Sequence, residues 1–187
     1  MPRTERIVVG ISGASGVVIG LRTVEELLAA GREVHVIVTD AAREVIRHEM
    51  GKSYRFPKGA KVHSEGDSAS PLNSTSFLVD AMVVAPCSVK SLSALASGYA
   101  NNLLTRAADG MLRTGKKLVV VPRETPLSLA ALSNMAQLKL GGAIIMPPCA
   151  AYYHGPKTVA DMTDFFVAKI LDLLGVEHRL MRRWGER

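Results

Sequence analysis

The sequence predicts an α/β fold in which a mainly parallel β-sheet is covered on both faces by helices. Short apolar runs, each suited to a buried strand, alternate along the chain with longer stretches whose apolar residues recur at helical spacing. Several apolar runs end in glycine or proline, the residues that most often interrupt regular structure. Because buried parallel strands need helical crossovers, this alternation predicts three layers joined by right-handed connections.

The first elements of the chain illustrate the pattern. Residues 6–12 form a nearly continuous apolar run, which predicts the first strand. From Val17 the apolar side chains are spaced as one buried helical stripe, and Gly31 ends the helix. Residues 34–39 repeat the strand pattern, and Asp40 is expected to cap the second helix.

Further strands and helices are predicted downstream. The strands are expected at 81–85, 118–121 and 143–146, and the helices at about 88–98, 102–112, 127–140 and after Thr158. The stretch 52–80 is rich in Gly, Ser, Pro, Asn and Asp, which predicts a long surface loop with one short strand near Val62. In parallel sheets the ligand crevice lies at the carboxyl ends of the strands, so we expect the loops after the strands to converge there.

Size and composition indicate one compact globular domain over residues 1–187. Hydrophobic residues make up 48% of the chain and charged residues 21%, which excludes a disordered protein. The formal net charge of +6 suits a phosphate-bearing ligand or nucleic acid. Aromatic residues are only 5% and no basic stripe carries them, so a small anionic ligand is favoured over nucleic acid.

Cysteine and histidine usage argues against disulfides and metals. The 2 cysteines form no CxxC motif, and the 5 histidines show no HExxH or similar spacing. The apolar run near the N-terminus is too short, and too soon interrupted by glycine, for a signal peptide or a membrane span. We therefore expect a cytoplasmic protein without a membrane span and without a metal site.

The segment GISGASG at 10–16 follows a predicted strand and opens a helix. Its backbone N–H groups and hydroxyls can face an anion at the positive end of that helix. The spacing is GxxGxxG, which differs from the GxGxxG dinucleotide fingerprint and favours a mononucleotide. The alternative is a turn that serves only strand-to-helix packing. A second helix start follows Pro86, where Ser88 either caps the helix or also binds an anion.

Two charged residues fall on predicted apolar stripes. Glu49 lies at helical spacing from Ile46, so its carboxylate is either buried and used, or exposed because the helix ends before it. Lys169 shares the buried face of the last helix with Met162. Its side chain either extends along the stripe to water or contacts an acidic ligand or a partner subunit.

Other charged residues are grouped along the chain. Arg106, Asp109 and Arg113 share a helix face, as in an ordinary solvated ion pair. Arg123 and Glu124 follow a strand and therefore reach the ligand edge of the sheet. An arginine can bind phosphate bidentately and a glutamate can transfer a proton, although an inert ion pair within the loop is the alternative.

Several motifs in order resemble those of the UbiX-type flavin prenyltransferases. They cover nearly the whole chain: GISGASG at 10–16, VVAPCS at 83–88, GYANNLLTRAAD at 98–109, VVVPRETPLS at 119–128, YYHGPKT at 152–158 and RRWGE at 182–186. The resemblance implies a Rossmann-like or flavodoxin-like fold. It also implies that the dimethylallyl group of dimethylallyl phosphate is joined to N5 and C6 of reduced FMN without a metal. The prenylated FMN would then serve UbiD-type decarboxylases.

The resemblance also implies roles for individual residues. FMN would be bound by Gly13, Ala14, Ser15, Thr39, Ser88, Val89, Lys90, Ser91 and Arg123. The prenyl phosphate would be bound by Arg106, Arg113, Arg123, Tyr153 and Lys169. Protons would be handled by Ser15, Glu49 and Glu124. Neighbouring subunits of a homo-oligomer, a dodecamer by resemblance, would supply Arg106, Arg113, Arg123 and Glu124.

The chain departs from the family pattern in a few places. Lys169 stands where some members carry Arg, and Arg113 where some carry Lys. In the segment Ser70–Phe77, Asn73 and Thr75 are bulkier and more polar than the Ala and Gly of the usual PxASGSF-like stretch. This change is expected to alter the accepted prenyl donor, or to abolish prenylation while FMN still binds. The alternative functions are a related flavin-dependent cysteine decarboxylase and a catalytically silent FMN-binding protein.

Overall fold

The computed structural model describes residues 3–185, so the expectations that involve Met1, Pro2 and Glu186 lie outside the described part of the chain. These residues contain a six-stranded sheet in which every neighbouring pair is parallel. The strands are β1 Arg6–Ile11, β2 Glu33–Val38, β3 Lys61–Ser64, β4 Ala81–Cys87, β5 Lys117–Pro122 and β6 Ile144–Ile145. Their order is β3-β2-β1-β4-β5-β6, which confirms the predicted parallel sheet and is the Rossmann-type order.

Helices cover both faces of the sheet, as the alternation of elements predicts. They are α1 Val17–Ala29, α2 Asp40–Glu49, α3 Val89–Ala96, α4 Leu103–Arg113, α5 Leu129–Leu140 and α6 Val159–Leu174. Apolar side chains of α1, α2 and α6 form one core with the sheet, and those of α3, α4 and α5 form a second core on the opposite face. The three-layer α/β prediction is therefore confirmed.

Polar side chains determine where the helices begin. Thr39 Oγ1 accepts a hydrogen bond from Ala42 N at 3.1 Å, so Thr39 is the N-cap of α2. The expectation that Asp40 caps this helix is wrong, because Thr39 already has the extended backbone of a cap (φ −73°, ψ 157°) and Asp40 is the first helical residue. Asn102 and Thr158 cap α4 and α6 in capping boxes.

Strand β4 is longer than the sequence suggests. We expected it to end before Pro86, but it continues through that residue to Cys87, with a register shift after Val84. A proline has no N–H to pair, so it is tolerated at such an irregularity. The carbonyl oxygen of Pro86 is used instead, because it accepts a hydrogen bond from Ser12 N at 3.2 Å.

Charged residues begin three adjacent strands at the amino-terminal edge of the sheet. The carboxylate of Glu33 accepts hydrogen bonds or ion pairs from Arg6 Nη2 at 3.0 Å, Lys61 Nζ at 2.6 Å and His35 Nε2 at 3.1 Å. The hydrogen bond from Arg6, followed by that from Lys61, lowers the pKa of Glu33 to about 2. This cluster lies at the opposite edge from the loops that follow the strands.

We expect Glu33→Gln to lower the free energy of unfolding at pH 7 by more than Glu5→Gln does. Glu5 makes an exposed pair with Arg32, and such pairs contribute less than about 1 kcal/mol. Because the folded-state pKa of Glu33 lies below its ordinary value of 4.5, its contribution is complete above that pH and is lost as the pH falls toward about 2.

Urea unfolding of wild type and both variants at several pH values measures this effect. The difference between wild type and Glu33→Gln is expected to shrink from pH 5 to pH 3. A difference that stays constant over this interval would show that the carboxylate charge of Glu33 does not stabilise the fold.

Candidate functional site

A crevice of about 600 Å³ opens at the carboxyl edge of the sheet. It lies where the strand order reverses between β1 and β4, the place where parallel α/β sheets bind ligands. The loops after β1, β2, β4 and β5 contribute to it, so the expected convergence is observed for these four loops, whereas the loop from Pro147, which was also expected there, does not line the crevice. Its lining contains ten residues that were singled out from the sequence: Gly13, Ala14, Ser15, Thr39, Ser88, Val89, Lys90, Ser91, Arg123 and Glu124.

The glycine-rich loop packs closely against the start of α2. A Cβ on Gly13 would lie 2.4 Å from Ala41 Cβ, so only glycine permits this approach. The N–H groups at the start of α1 do not point toward a ligand, however. Gly16 N and Val17 N donate to the Glu49 carboxylate at 3.0 and 3.1 Å. The expectation that this helix end faces an anion is therefore corrected, although the loop itself lines the crevice.

Glu49 has a role that neither interpretation of its position described. Helix α2 extends through Glu49, so the helix does not end before it, and yet the side chain is exposed rather than buried. Its carboxylate instead binds the first N–H groups of α1, which favour a negative charge. The spacing of apolar residues within α2 could not reveal this contact, because the partner lies 33 residues away.

Ser12 is a buried residue of the site that the sequence analysis did not single out. Its Oγ donates to Pro86 O at 2.9 Å and accepts from Ser88 N at 2.8 Å. It thereby joins the end of β1 to the end of β4 and to the start of α3. Ser88 in turn caps α3 by accepting from Ser91 N at 3.3 Å, so the capping interpretation of Ser88 is confirmed.

Glu65, directly after β3, is a second residue that was missed. Its Oε1 accepts from Asp40 N at 2.7 Å and its Oε2 from Asn102 Nδ2 at 2.6 Å. Its carbonyl oxygen accepts from Leu103 N at 2.8 Å. Glu65 therefore connects the N-terminal ends of α2 and α4 while it lines the crevice. A polar residue after a short, mostly exposed strand was the only signal in the sequence.

Arg123 and Glu124 line the crevice of the chain that carries them. The resemblance placed both in a neighbouring subunit, so the structure adds a role within one subunit. Glu124 Oε1 accepts a hydrogen bond from Thr125 N at 2.9 Å. Within residues 3–185 it forms no ion pair with Arg123, so the alternative of an inert pair in this loop is not observed. Together with Lys90, Arg123 supplies positive charge to the crevice.

The remaining expected site residues lie outside the crevice. Arg106 and Arg113 border a separate, narrow cavity of only about 30 Å³ between α4 and residues 72–79. Arg113 Nε binds Asp109 Oδ2 at 2.7 Å, which confirms the ion pair predicted on this helix face. Tyr153 and Lys169 lie at a third place, along α6, where each is near the ring of Phe165. One chain therefore does not bring these residues to the crevice.

The atypical residues of the segment Ser70–Phe77 do not enter the crevice. Asn73 Nδ2 donates to the carbonyl oxygens of Asp67, Ser68 and Ser70 at 3.0, 3.1 and 3.1 Å, so its side chain stabilises its own loop. Thr75 faces α4, where a Cβ on Gly110 would lie 3.1 Å from Thr75 Cγ2. Both residues border the separate cavity at α4.

The part of the chain that the structure describes shows a protonated buried thiol, and it shows neither a metal-binding cluster nor a membrane-spanning helix. Cys87 is buried, and burial raises the pKa of its thiol to about 12, so it stays protonated at neutral pH. Among residues 3–185, no three or more His, Cys, Asp or Glu residues are grouped so that they could hold a metal ion. Over the same range, every helix is too short or too polar to cross a membrane.

The fold and the crevice define a protein of the flavoprotein class, and residues 1–172 match the model of the flavoprotein family. The flavin prenyltransferase UbiX of Methanothermobacter thermautotrophicus is 44% identical over 184 residues, which cover 95% of this chain and 94% of the relative. The chain belongs to the flavoprotein family and, within it, to the UbiX flavin prenyltransferases, as the sequence motifs predict.

Two crystal structures show the same architecture. AnUbiX (PadA1) in complex with FMN and dimethylallyl pyrophosphate has a TM-score of 0.93 and 37% identity, over 99% of this chain and 100% of that one. A dodecameric FMN-dependent UbiX-like decarboxylase from Escherichia coli O157:H7 has a TM-score of 0.91 and 38% identity, over 96% and 99% of the two chains. These similarities confirm the Rossmann-like or flavodoxin-like fold.

We expect Ser12→Ala to lower the free energy of unfolding by about 1–3 kcal/mol, because Pro86 O and Ser88 N lose a buried partner. The matched control is Ser97→Ala. The exposed Ser97 hydroxyl donates to Ser93 O at 3.0 Å, and its loss is expected to change stability by less than about 0.5 kcal/mol. Urea unfolding measures both, and equal effects of the two variants would contradict the joining role of Ser12.

Proposed function

We propose that this chain is a flavin prenyltransferase that joins the dimethylallyl group of a dimethylallyl phosphate ester to N5 and C6 of reduced FMN. The observation that carries the proposal is the crevice itself. Its lining includes all the residues that the family resemblance assigns to FMN, and they come together from four separate loops. The relative from Methanothermobacter thermautotrophicus, a flavin prenyltransferase, shares 44% of its residues with this chain.

The crevice residues fit FMN. Ligand pockets usually measure about 300–1,000 Å³, and the crevice, at about 600 Å³, falls within this range. Hydroxyls of Thr39 and Ser88 and the backbone of Gly13 to Ser15 can hydrogen-bond a polar chain or phosphate. Lys90 and Arg123 add positive charge. When bound, reduced FMN supplies the nucleophilic ring atoms that the dimethylallyl group joins.

The prenyl phosphate needs cations where its negative charge develops. As the allylic C–O bond breaks, the phosphate leaves with the electron pair, and positive side chains aimed at it lower the barrier. We assign this task to Arg123 in the crevice and to Arg106, Arg113 and Lys169, and the Tyr153 hydroxyl adds a hydrogen-bond donor. Arg106 and Arg113 lie outside the crevice of their own chain, so this assignment requires that a neighbouring subunit supplies them.

A homo-oligomer follows from this sharing of residues, and the surface of α5 supports it. Leu129 is 81% exposed and Leu140 is 90% exposed, although both are large apolar residues of that helix. The UbiX-like decarboxylase from Escherichia coli O157:H7, which shares 38% of its residues with this chain, is dodecameric. We propose that this chain assembles in the same way.

Glu49, Ser15 and Glu124 are assigned to proton transfer. Joining the second ring atom requires one proton to be added to the prenyl alkene and one to be removed from C6. The bonds from Gly16 N and Val17 N hold the Glu49 carboxylate beside the loop that contains Ser15. Glu124 lines the crevice next to Arg123, so its carboxylate oxygens are available near the departing phosphate.

The cellular setting follows from the same proposal. We propose that residues 1–187 act as one domain in the cytoplasm and deliver prenylated FMN to a UbiD-type decarboxylase. Both cysteines are free, Cys87 buried and Cys149 exposed, which suits a reducing compartment. All strands of the described residues belong to one sheet, which supports a single domain.

Anaerobic incubation of the purified protein with reduced FMN and either dimethylallyl phosphate or dimethylallyl pyrophosphate tests the function. The extracted flavin is expected to gain the mass of one C5H8 unit with one or both donors. An unchanged mass with FMN still bound would favour a silent FMN-binding protein. Carbon dioxide released from a peptide with a C-terminal cysteine would favour the cysteine decarboxylase.

Arg123→Gln is expected to slow product formation about 10- to 100-fold, because a charged hydrogen-bond donor to phosphate is lost. Arg47→Gln is the matched control. Arg47 is an exposed arginine of α2 that pairs with Glu44 and does not line the crevice, so its loss is expected to leave the crevice unchanged. The initial rate of product formation, followed by the mass of the flavin, is measured for both variants. Equal rates for the two would show that Arg123 does not bind the phosphate.

We expect Glu49→Gln to keep FMN affinity but to slow adduct formation about 100-fold or more, as loss of a proton-transfer group does. The amide oxygen of glutamine still accepts a hydrogen bond from Gly16 N or Val17 N, so the loop is retained. Glu44→Gln, on an exposed position of the same helix, is the control. FMN titration and single-turnover rates separate the two effects, and unaltered turnover would exclude Glu49 from the chemistry.

A further inference from the structure

The chain that follows α6 turns back along this helix and reaches Tyr153. Gly175 has φ 77°, the left-handed conformation that allows the reversal at the helix end. The ring of Trp184 then lies 5.4 Å from the ring of Tyr153, edge to face at 89°. Trp184 is 81% exposed, so burial does not hold it in this place. In the segment 176–184, here called the tail, Val176 and Leu180 pack against the core, whereas another interaction must position the end that carries Trp184.

The carboxylate of Asp172 provides this interaction. Its Oδ1 accepts from Arg183 Nη2 at 2.7 Å and its Oδ2 from Arg183 Nη1 at 3.0 Å, a bidentate pair. Oδ1 also accepts from His178 Nε2 at 3.0 Å. Two points of the tail are therefore bound to one side chain, and the second point is adjacent to Trp184.

The tail offsets the unfavourable position of the Asp172 carboxylate in the last turn of α6. A negative charge in the last turn of a helix is unfavourable, because the carbonyl groups there already carry negative charge. The hydrogen bonds from Arg183 are the main cause that lowers the pKa of Asp172, despite partial burial. The His178 side chain is only 1% exposed, so the turn of the tail is packed against the protein.

The tail completes a wall of aromatic and cationic groups along α6. Tyr153 lies 6.1 Å from the ring of Phe165, and Lys169 Nζ lies 5.7 Å from the same ring. Trp184 extends this row beyond Tyr153. Tyr153 and Lys169 are the residues to which the proposed function assigns the prenyl phosphate. A flat apolar ring beside them offers a face against which a short allylic chain can pack.

We propose that Asp172 is a positioning residue for the prenyl donor: by binding Arg183 and His178 it holds Trp184 against Tyr153. This inference rests on the proposed function. Its physical basis is preorganisation, since a tail that is ordered before the donor arrives costs no conformational entropy on binding. The FMN crevice contains none of these residues, so flavin binding is expected to be independent of the tail.

Asp172→Asn tests the proposal, because it keeps the side-chain volume and removes the charge. Trp184 is the only tryptophan of the chain, so the anisotropy of its fluorescence reports the motion of the tail directly. We expect lower anisotropy and a KM for the prenyl donor raised about 10-fold, the effect of losing one charged hydrogen-bonded pair. The Kd for FMN and kcat are expected to change less than about 2-fold, because the tail is proposed to affect only the binding of the prenyl donor.

Matched variants separate this role from general effects on the tail. Glu177→Gln removes an exposed carboxylate of the same tail and is expected to change neither anisotropy nor KM. Arg183→Gln removes the other half of the ion pair and is expected to reproduce both changes. Asp172→Glu keeps the charge and is expected to restore most of the wild-type behaviour. If Glu177→Gln acts like Asp172→Asn, the proposal is wrong.

A double-mutant cycle decides whether Asp172 acts through Trp184. Trp184→Ala is expected to raise the KM for the donor, and Asp172→Asn is expected to add nothing in that background. Equal effects of Asp172→Asn with and without Trp184 would overturn the proposal, and so would unchanged anisotropy in Asp172→Asn. If the wild-type protein forms no prenylated flavin, the proposed function itself fails and the donor role fails with it. Anisotropy still shows in that case whether Asp172 holds the tail.

Discussion

Helices that begin at the carboxyl edge of the sheet bring unpaired backbone N–H groups together around one crevice, and each of these groups needs a hydrogen-bond acceptor. The chain supplies the acceptors from its own side chains. Glu49 binds the start of α1, Thr39 and Glu65 bind the start of α2, Ser88 caps α3 and Asn102 caps α4. These contacts join the loops to one another, so the shape of the crevice depends on them.

This arrangement determines which groups of the crevice can bind a ligand. Carboxylates occupy the positive ends of α1 and α2, so a bound phosphate depends on loop backbone, hydroxyls and the cations Lys90 and Arg123. The same contact holds the Glu49 carboxylate beside the loop that contains Ser15. In the proposed mechanism a structural and a chemical role therefore fall on one side chain, so the loss of Glu49 is informative only when stability and turnover are measured separately.

The proposed site is divided between parts of the molecule that one subunit does not bring together. The crevice holds the residues assigned to FMN, whereas Arg106 and Arg113 lie at the cavity beside α4, and Tyr153 lies with Trp184 on the wall along α6. Assembly of several copies is the physical route by which α4 of one subunit can serve the crevice of another. Asp172 acts on the third part alone, through the tail that it binds.

The sequence by itself determined the parallel α/β fold and the convergence of the loops after β1, β2, β4 and β5, because these follow from local periodicity and from residue types after each strand. Most of the crevice lining was predicted through the resemblance of the motifs to a known family. Only the tertiary structure decided the roles of Ser12, Glu49 and Glu65. Their partners are distant in the chain, and a hydrogen bond between distant residues leaves no periodic signal. The same reason applies to Asn73, whose bulk suggested a changed prenyl donor or a loss of prenylation and whose amide binds the carbonyl groups of its own loop. Local spacing predicts elements, whereas the direction in which a polar side chain points depends on which backbone groups the fold leaves unpaired nearby.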